Sequence, residues 1–493
     1  MTSSNWLAVF PEIVLLVMAC VITLVDLFVT SPRRTPTLVL SIGTVAGVGL
    51  LHLLAFAEGN TQYAMNRMLV VDPLGHLLAF FACLAMLVTL VYAQVYAASR
   101  DMLKGELFSL ALFALLGISI MVAANNFLVV YLGLELMSLS LYALTALRRD
   151  SSHATEAAMK YFVLGALASG FLLYGLSMMY GATGSLDIPR VFEVLQSGQP
   201  NKQVLAFGLA FIVAGLAFKF GAVPFHMWVP DVYHGAPTAV TLMIAGAPKL
   251  AAFGMAFRLL VEGMSSQAAD WQQMLMVLSV CSLVIGNLVA IAQTNLKRML
   301  AYSTISQIGF MLLGFTPTVI AGNTQSAVNG YSSAMFYLVS YVITTLGSFG
   351  LIMLLARPGF EAEEISDLAG LNQRSPAMAL IMAVFMFSLA GVPPAVGFYA
   401  KLAVLQSLVA TGESAYLWLA IFAVMMSLVG AFYYLRVVKV MYFDEATDKS
   451  AMVTAPGAHA VLSVNGLAIL VLGIFPGGLM AMCAQAVLKA LAT

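Results

Sequence analysis

The chain has 493 residues, of which 61% are hydrophobic and 9% charged, where soluble domains run at roughly 45–50% apolar and 25% charged. A body of that size has too little interior to hide so many apolar side chains from water, whereas a bilayer accepts them on every face of a helix, so a soluble globular protein is excluded. Lys+Arg and Asp+Glu are each 22, which leaves no basic excess to track a nucleic-acid backbone.

Apolar runs long enough for a membrane helix, about 20 residues, follow one another along the chain between charged or Gly/Pro/Asn-rich breaks. They predict an all-α polytopic membrane protein of about 14 transmembrane helices. The runs cover 6–29, 37–57, 74–98, 106–124, 126–147, 157–181, 203–223, 237–261, 272–293, 298–320, 331–356, 377–411 (interrupted), 415–442 and 460–486. The opening MTSSNW leads straight into the first run with no basic region or cleavage site, so it reads as a first span and not as a removable signal. Two polar connections, DIPRVFEVLQSG after span six and PGFEAEEISDLAGLNQRSP after span eleven, have room for a short surface helix but not for a soluble domain.

Basic residues near span ends stay on the cytoplasmic side. One set of loops carries Arg33, Arg34, Arg100, Lys104, Arg148, Arg149, Arg298, Arg357, Arg374, Arg436, Lys439 and Lys449, the other mainly Arg67, Arg190, Lys202, Arg258 and Lys489. Both termini are therefore predicted to face away from the cytoplasm.

The charges inside the runs carry the functional signal. In chain order, Glu12 and Asp26 lie near the ends of span one and read as interfacial. Glu135 (YLGLELMSLSLYAL), Lys160 (AMKYFVLGA), Lys219 (LAFKFGAVPFHMW), Lys249 (IAGAPKLAAFGM) and Lys401 (GVPPAVGFYAKLAVL) lie within apolar stretches. At a helix centre each costs about 2.5–3.5 kcal/mol on insertion scales, unless the side chain snorkels or pairs, a reading that suits Lys160, close to a span start. Lys219 precedes G-A-V-P, Lys249 follows Pro248, and Lys401 follows G-V-P-P. A proline frees a carbonyl on the preceding turn, tolerated in lipid only where protein or water satisfies it, so these helices are predicted to be broken and hydrated. A lysine beside free carbonyls and water is a plausible proton site. His226 reads as either a satisfied loop histidine or a proton carrier, and His234 beside it the same way. Lys297 opens span ten as an anchor or as the end of a water path lined by Tyr302, Ser303, Thr304, Ser306 and Gln307.

The breaks in spans seven and twelve lie five spans apart, an odd number, so the two helices run in opposite directions, as in an inverted-topology repeat with sites near the midplane. Four units follow: 1–103 with three helices, 104–262 as a first five-helix repeat, 263–445 as a second, inverted one, and 446–493 with a last helix. Cys20, Cys83, Cys281 and Cys483 are scattered singly, without metal-ligand spacing. Neither G-x-G-x-x-G after a strand nor a G-x-x-x-x-G-K-[ST] loop occurs. Any redox or nucleotide chemistry then belongs to other subunits.

The motifs YLGLELMSLSLYALTAL, AAMKYFVLGALASG, FKFGAVPFHMWVPDVYHGAPT, NLKRMLAYSTISQIGF and LAGVPPAVGFYAKLAVL resemble those of the antiporter-like membrane subunits of respiratory complex I, the proton-pumping NADH:quinone oxidoreductase, over nearly the full length. Lysine at position 401, where the M type usually has glutamate, and an end at Thr493 with no room for the lateral helix of the L type, favour the N type. The resemblance implies that Glu135 and Lys219 are a carboxylate–lysine pair, that Lys249 is the central relay and Lys401 the residue of the second half-channel, and that Lys160 matches a further lysine. Gln307 departs from the pattern, standing where the N type often has a histidine. Implied partners are neighbouring antiporter-like and small hydrophobic subunits, with no metal or cofactor in this chain and FMN, iron–sulfur clusters and quinone in partner subunits. The implied location is a bacterial inner membrane. An Mrp-type cation/proton antiporter subunit, the membrane subunit of a proton-pumping hydrogenase and a non-conducting scaffold are the rival expectations.

Overall fold

Val9 and Pro11 split the N-terminal apolar run into α1 (Ser3–Ala8) and α2 (Phe10–Asp26). The computed structural model describes residues 3–198, 200–317, 324–446 and 456–492; Lys449 and the end of the tenth predicted span lie outside them. α3 (Thr35–Glu58) and α4 (Pro73–Ala98) are joined by a small antiparallel hairpin, β1 (Gln62–Ala64) with β2 (Leu69–Val71). Asp72 caps α4 by accepting from Gly75 N–H at 2.8 Å.

The first repeat contains α5 (Gly105–Val122), α6 (Phe127–Thr145), α7 (Ser152–Thr183), the short α8 (Ile188–Gln196), and α9 (Lys202–Phe220) continued after a break by α10 (Trp228–Gly235). Span eight follows as α11 (Thr238–Ala245) and α12 (Ala247–Ala256), separated at Gly246, and runs on as a π-helical turn over Phe257–Gly263. The second repeat contains α13 (Ala268–Ile291), α14 (Leu296–Leu313), α15 (Thr324–Leu355), the one-turn α16 (Leu371–Arg374), the broken pair α17 (Pro376–Ala390) and α18 (Val396–Val409), and α19 (Ser414–Phe443). Eleven helices among the described residues are long and apolar enough to cross a membrane, and α17, α18 and the last helix are shorter apolar ones. The predicted last span is two helices, α20 (Pro456–Ile474) and α21 (Gly477–Leu491), because Pro476 has no N–H to continue the ladder. α21 packs on α4 and α15. The predicted helix after span six is α8, which buries Ile188, Val191 and Leu195.

The two repeats share a register 169 residues apart. A Cβ on Gly117 of α5 would meet Gly133 O at 2.6 Å and Met137 N at 2.5 Å on α6; one on Gly286 of α13 would meet Tyr302 O at 2.9 Å and Ser306 N at 2.6 Å on α14. These contacts fall 16 and 20 residues after the glycine in both halves, where two helix backbones touch without a side chain between them. Asn126 and Asn295 cap α6 and α14, and each bridges to a later loop, at Asp187 and Glu364 respectively. The core runs along span eight, wholly buried in its apolar stretch, and along α15, nearly so. Arg258, expected in an outward loop, is instead fully buried on the π-helical turn, because Asp72 and Glu262 meet it there at 2.7 and 2.5 Å.

Candidate functional site

Each broken helix ends in the same way. Gly221 closes α9 in the left-handed region (φ 78) and Gly391 closes α17 (φ 85), a conformation glycine adopts without strain. The next residue then bonds back by five residues, Ala222 N–H to Ala217 O at 2.8 Å and Val392 N–H to Phe387 O at 2.9 Å. The carbonyls of the two residues before each glycine stay free within the apolar body, where an unsatisfied group is expensive.

A lysine takes both of them in each half. Lys249 Nζ donates to Lys219 O at 3.2 Å and to Phe220 O at 2.8 Å. Lys401 Nζ donates to Leu389 O at 3.1 Å and Ala390 O at 3.0 Å, and to Ser427 Oγ at 2.8 Å. Lys249 and Lys401 are 1% and 8% exposed, and each rests near an aromatic face, Trp228 at 5.3 Å and Phe310 at 5.0 Å. The cation also lies at the negative end of the helix it caps. Lys249 reaches across from α12, whereas Lys401 folds back from the second half of its own broken helix.

Lys219 sits on the last turn of α9 and donates to Ser138 Oγ at 3.0 Å. Ser138 is one turn after Glu135 on α6, so the carboxylate acts on the lysine through space while making no ion pair with it within 4 Å among the described residues. Glu135 Oε1 is buried with no hydrogen-bond partner. The expected pair is therefore not in contact, and Lys219 meets the Ser138 hydroxyl instead.

Lys160 does not share this burial. Its side chain is 42% exposed and meets Glu156 and Asp231, each at 2.8 Å, because the third turn of α7 sets it one turn after Glu156 and against α10. Asp231, which sequence reasoning missed, also accepts from Arg298 at 2.8 Å and so joins α7, α10 and α14. Lys297 is 3% exposed and caps the end of α10 through His234 O at 2.9 Å and Ala236 O at 2.7 Å, with Glu363 at 3.6 Å. It borders a cavity of about 150 Å³ shared with His153, His234, Glu361 and Glu363. His226 lies in the break after α9, its Nδ1 buried and unpartnered.

Within the second repeat runs a buried hydroxyl network. Gln307 Nε2 donates to Leu389 O and to Tyr434 Oη, both at 2.9 Å, and its Oε1 accepts from Tyr337. Tyr434 bonds Ser303, and Tyr341 donates to Thr304 Oγ1 at 2.8 Å. Of the five polar residues predicted to line a path, Ser303, Thr304, Ser306 and Gln307 are buried and Tyr302 is half-buried. Among the described residues no group of three or more His, Cys, Asp or Glu side chains is placed to hold a metal ion.

Residues 124–430 match the family described as NADH:quinone oxidoreductase/Mrp antiporter, TM. The chain is 62% identical over 486 residues to NADH-quinone oxidoreductase subunit N of Polaromonas naphthalenivorans (strain CJ2), covering 98% of this chain and 97% of the other. It is 59% identical over 497 residues to the subunit N of Herminiimonas arsenicoxydans, covering all of both. Among solved structures, a chain of respiratory complex I from Thermus thermophilus with bound aureothin superposes with a TM-score of 0.81 at 30% identity, covering 97% of this chain and 100% of that one. A full-length likeness of this degree, with broken helices and buried lysines in place, establishes that the chain belongs to the NADH-quinone oxidoreductase subunit N family.

Proposed function

We propose that the chain is the proton-translocating membrane subunit N of NADH:quinone oxidoreductase, and that Glu135, Lys219, Lys249 and Lys401 carry the proton. The observation that supports this most is the matched placement of Lys249 and Lys401. Among the described residues each ammonium is hydrogen-bonded by backbone carbonyls and, at Lys401, one hydroxyl, with no carboxylate in contact, so each charge can be lost or regained without breaking an ion pair there. NADH oxidation and quinone reduction, with FMN and iron–sulfur clusters, take place in partner subunits. That chemistry alters the field at Glu135, whose attraction for Lys219, at more than 4 Å, is bounded by the about 4 kcal/mol of a unit pair at 4 Å and an effective dielectric of 20. Such a change is enough to load or unload Lys219.

From Lys219 the proton passes to Lys249, whose ammonium already touches the Lys219 carbonyl, and then towards Lys401 through hydroxyls and water. Gln307 cannot itself accept a proton in this range; it aligns Tyr337 and Tyr434 beside the Leu389 carbonyl. Lys297 and His226 extend the path towards its mouth, and Lys160 tunes Asp231. The chain lies in a bacterial inner membrane, beside neighbouring antiporter-like and small hydrophobic subunits, with both termini on the periplasmic face.

The test is NADH-driven proton uptake by the intact complex in vesicles. Lys249→Ala and Lys401→Ala complexes that assemble are expected to take up fewer protons per NADH oxidised; normal uptake by either would overturn the relay.

A further inference from the structure

The lysine relay leaves one buried group of titratable side chains unused. Glu12 was expected at the membrane interface, yet its carboxylate turns inward from the first turn of α2 and stands 4.0 Å from Nε2 of His52. Across the ring, His52 Nδ1 meets His76 Nδ1 of α4 at 3.0 Å. His52 and His76 are 1% and 6% exposed, and His52 Nε2 has no hydrogen-bond partner. His76 and Pro11, beside Glu12, line a cavity of about 420 Å³ that also touches Glu58, Asn60 and Gln62 at the end of α3.

We propose that Glu12, His52 and His76 form a proton-binding site, separate from the lysine relay, that exchanges its proton with this cavity. Two Nδ1 atoms at hydrogen-bond distance share one hydrogen, so one ring donates and the other accepts. Their opposite nitrogens are then left with opposite needs. When His52 donates through Nδ1, its Nε2 is a bare acceptor aimed at Glu12, with no other partner. A proton moving from the Glu12 carboxyl to His52 Nε2 through one water, as their 4.0 Å separation requires, releases the Nδ1 hydrogen to His76 Nδ1, and His76 sheds its Nε2 hydrogen to the cavity. One proton enters the pair and one leaves, both rings exchange tautomer, and Glu12 ends as a carboxylate. Reversal restores the start, so the site stores a proton and returns it.

The surroundings suit such a store. Cys83 and Asp72 of α4 and Glu58 of α3 are the other titratable groups nearby, and Arg258 and Glu262 stand beyond Asp72. Of the other helices packed on α4, α5 carries only Glu106, in its first turn, α11 carries no titratable group, α12 carries Lys249, α15 offers tyrosines, α20 carries His459, and α21 brings Cys483 and Lys489. Asp72 is held by two guanidinium bonds, at 3.0 and 2.7 Å, and is not free to take the pair's proton. Glu58 is exposed at the end of α3, so Glu12, the carboxylate that faces His52 Nε2, is the one that serves the pair.

The experiment is an infrared difference titration between pH 5 and 9 on the purified complex with ring-labelled histidine. The expected result is an imidazole change and a carboxylic carbonyl change in the wild-type complex. His52→Gln and His76→Gln remove the first, and Glu12→Gln, which keeps the side-chain shape, removes the second. Wild-type-minus-variant spectra that stay flat across the range for Glu12→Gln and for either histidine variant would overturn the site. The readout is independent of pumping, so a failure of the relay leaves this result standing. If a histidine variant does not assemble, the Glu12→Gln spectrum alone decides, since a flat trace means that no proton is exchanged there.

Discussion

Gln307 and Lys401 share one acceptor: the carbonyl of Leu389 receives Gln307 Nε2 at 2.9 Å and Lys401 Nζ at 3.1 Å. The amide is thus fixed against the carbonyl that holds the second-half lysine. Gln307→Leu strands the buried Tyr337 hydroxyl and leaves Tyr434 bonded to Ser303, at about 1–3 kcal/mol for a lost buried partner. Its thermal midpoint and its proton uptake are both expected to fall. Gln307→His restores a donor and an acceptor and is expected to keep uptake near wild type, measured in vesicles.

Lys249→Ala strands the carbonyls of Lys219 and Phe220, a loss of about 1–3 kcal/mol for each unsatisfied group. Lys249→Arg keeps the charge and the donors but does not release a proton. The expected pattern is that the arginine variant assembles like wild type while neither variant pumps normally. Complex yield and proton uptake, read side by side, separate the structural role from the transport role.

The glycine contacts predict equal sensitivity in the two halves. Gly117→Ala places a methyl 2.5 Å from Met137 N, and Gly286→Ala places one 2.6 Å from Ser306 N. Backbone cannot yield as a side chain can, so each is expected to lose about 1–3 kcal/mol. Denaturation of the purified variants checks this. Gly43→Ala, whose Cβ meets nothing within 4 Å, is the control.

Glu361 lies in the loop before α16, partly buried; burial pushes its carboxyl up, but Arg100 at 2.9 Å and the Tyr96 hydroxyl at 2.9 Å outweigh this and hold it below its usual 4.5. A depressed folded value adds stability above the unfolded pKa, and that stability is lost as pH falls through the folded one. Glu361→Gln is therefore expected to lower the thermal midpoint at pH 7. The gap should close as the pH drops below about 4.

The breaks were legible because proline and glycine act locally. G-A-V-P at 221–224 and G-V-P-P at 391–394 announced the helix ends, and the nearby lysines announced the buried charge. Which lysine would cap which end was not legible, since Lys249 reaches α9 from another span and only packing decides that. Asp231 had a signal that went unread: ten residues after Gly221 it stands where Lys401 stands ten after Gly391, so the repeat itself marked it. Glu12, His52 and His76 come from three spans, and nothing in their local spacing brings them together. Ser138, which accepts from Lys219, looked like any helix serine.

The fully buried Arg258–Asp72 pair makes the first helices a condition of the relay's own framework. Breaking such a pair by removing one partner costs about 3–5 kcal/mol. A shortened chain beginning after α4 would leave a guanidinium, with Glu262 as its remaining ion-pair partner, on the same span that carries Lys249. Trimming the N-terminus therefore has to be matched at positions 258 and 262 together, with apolar side chains of similar volume, since Glu262 would otherwise lose its guanidinium partner.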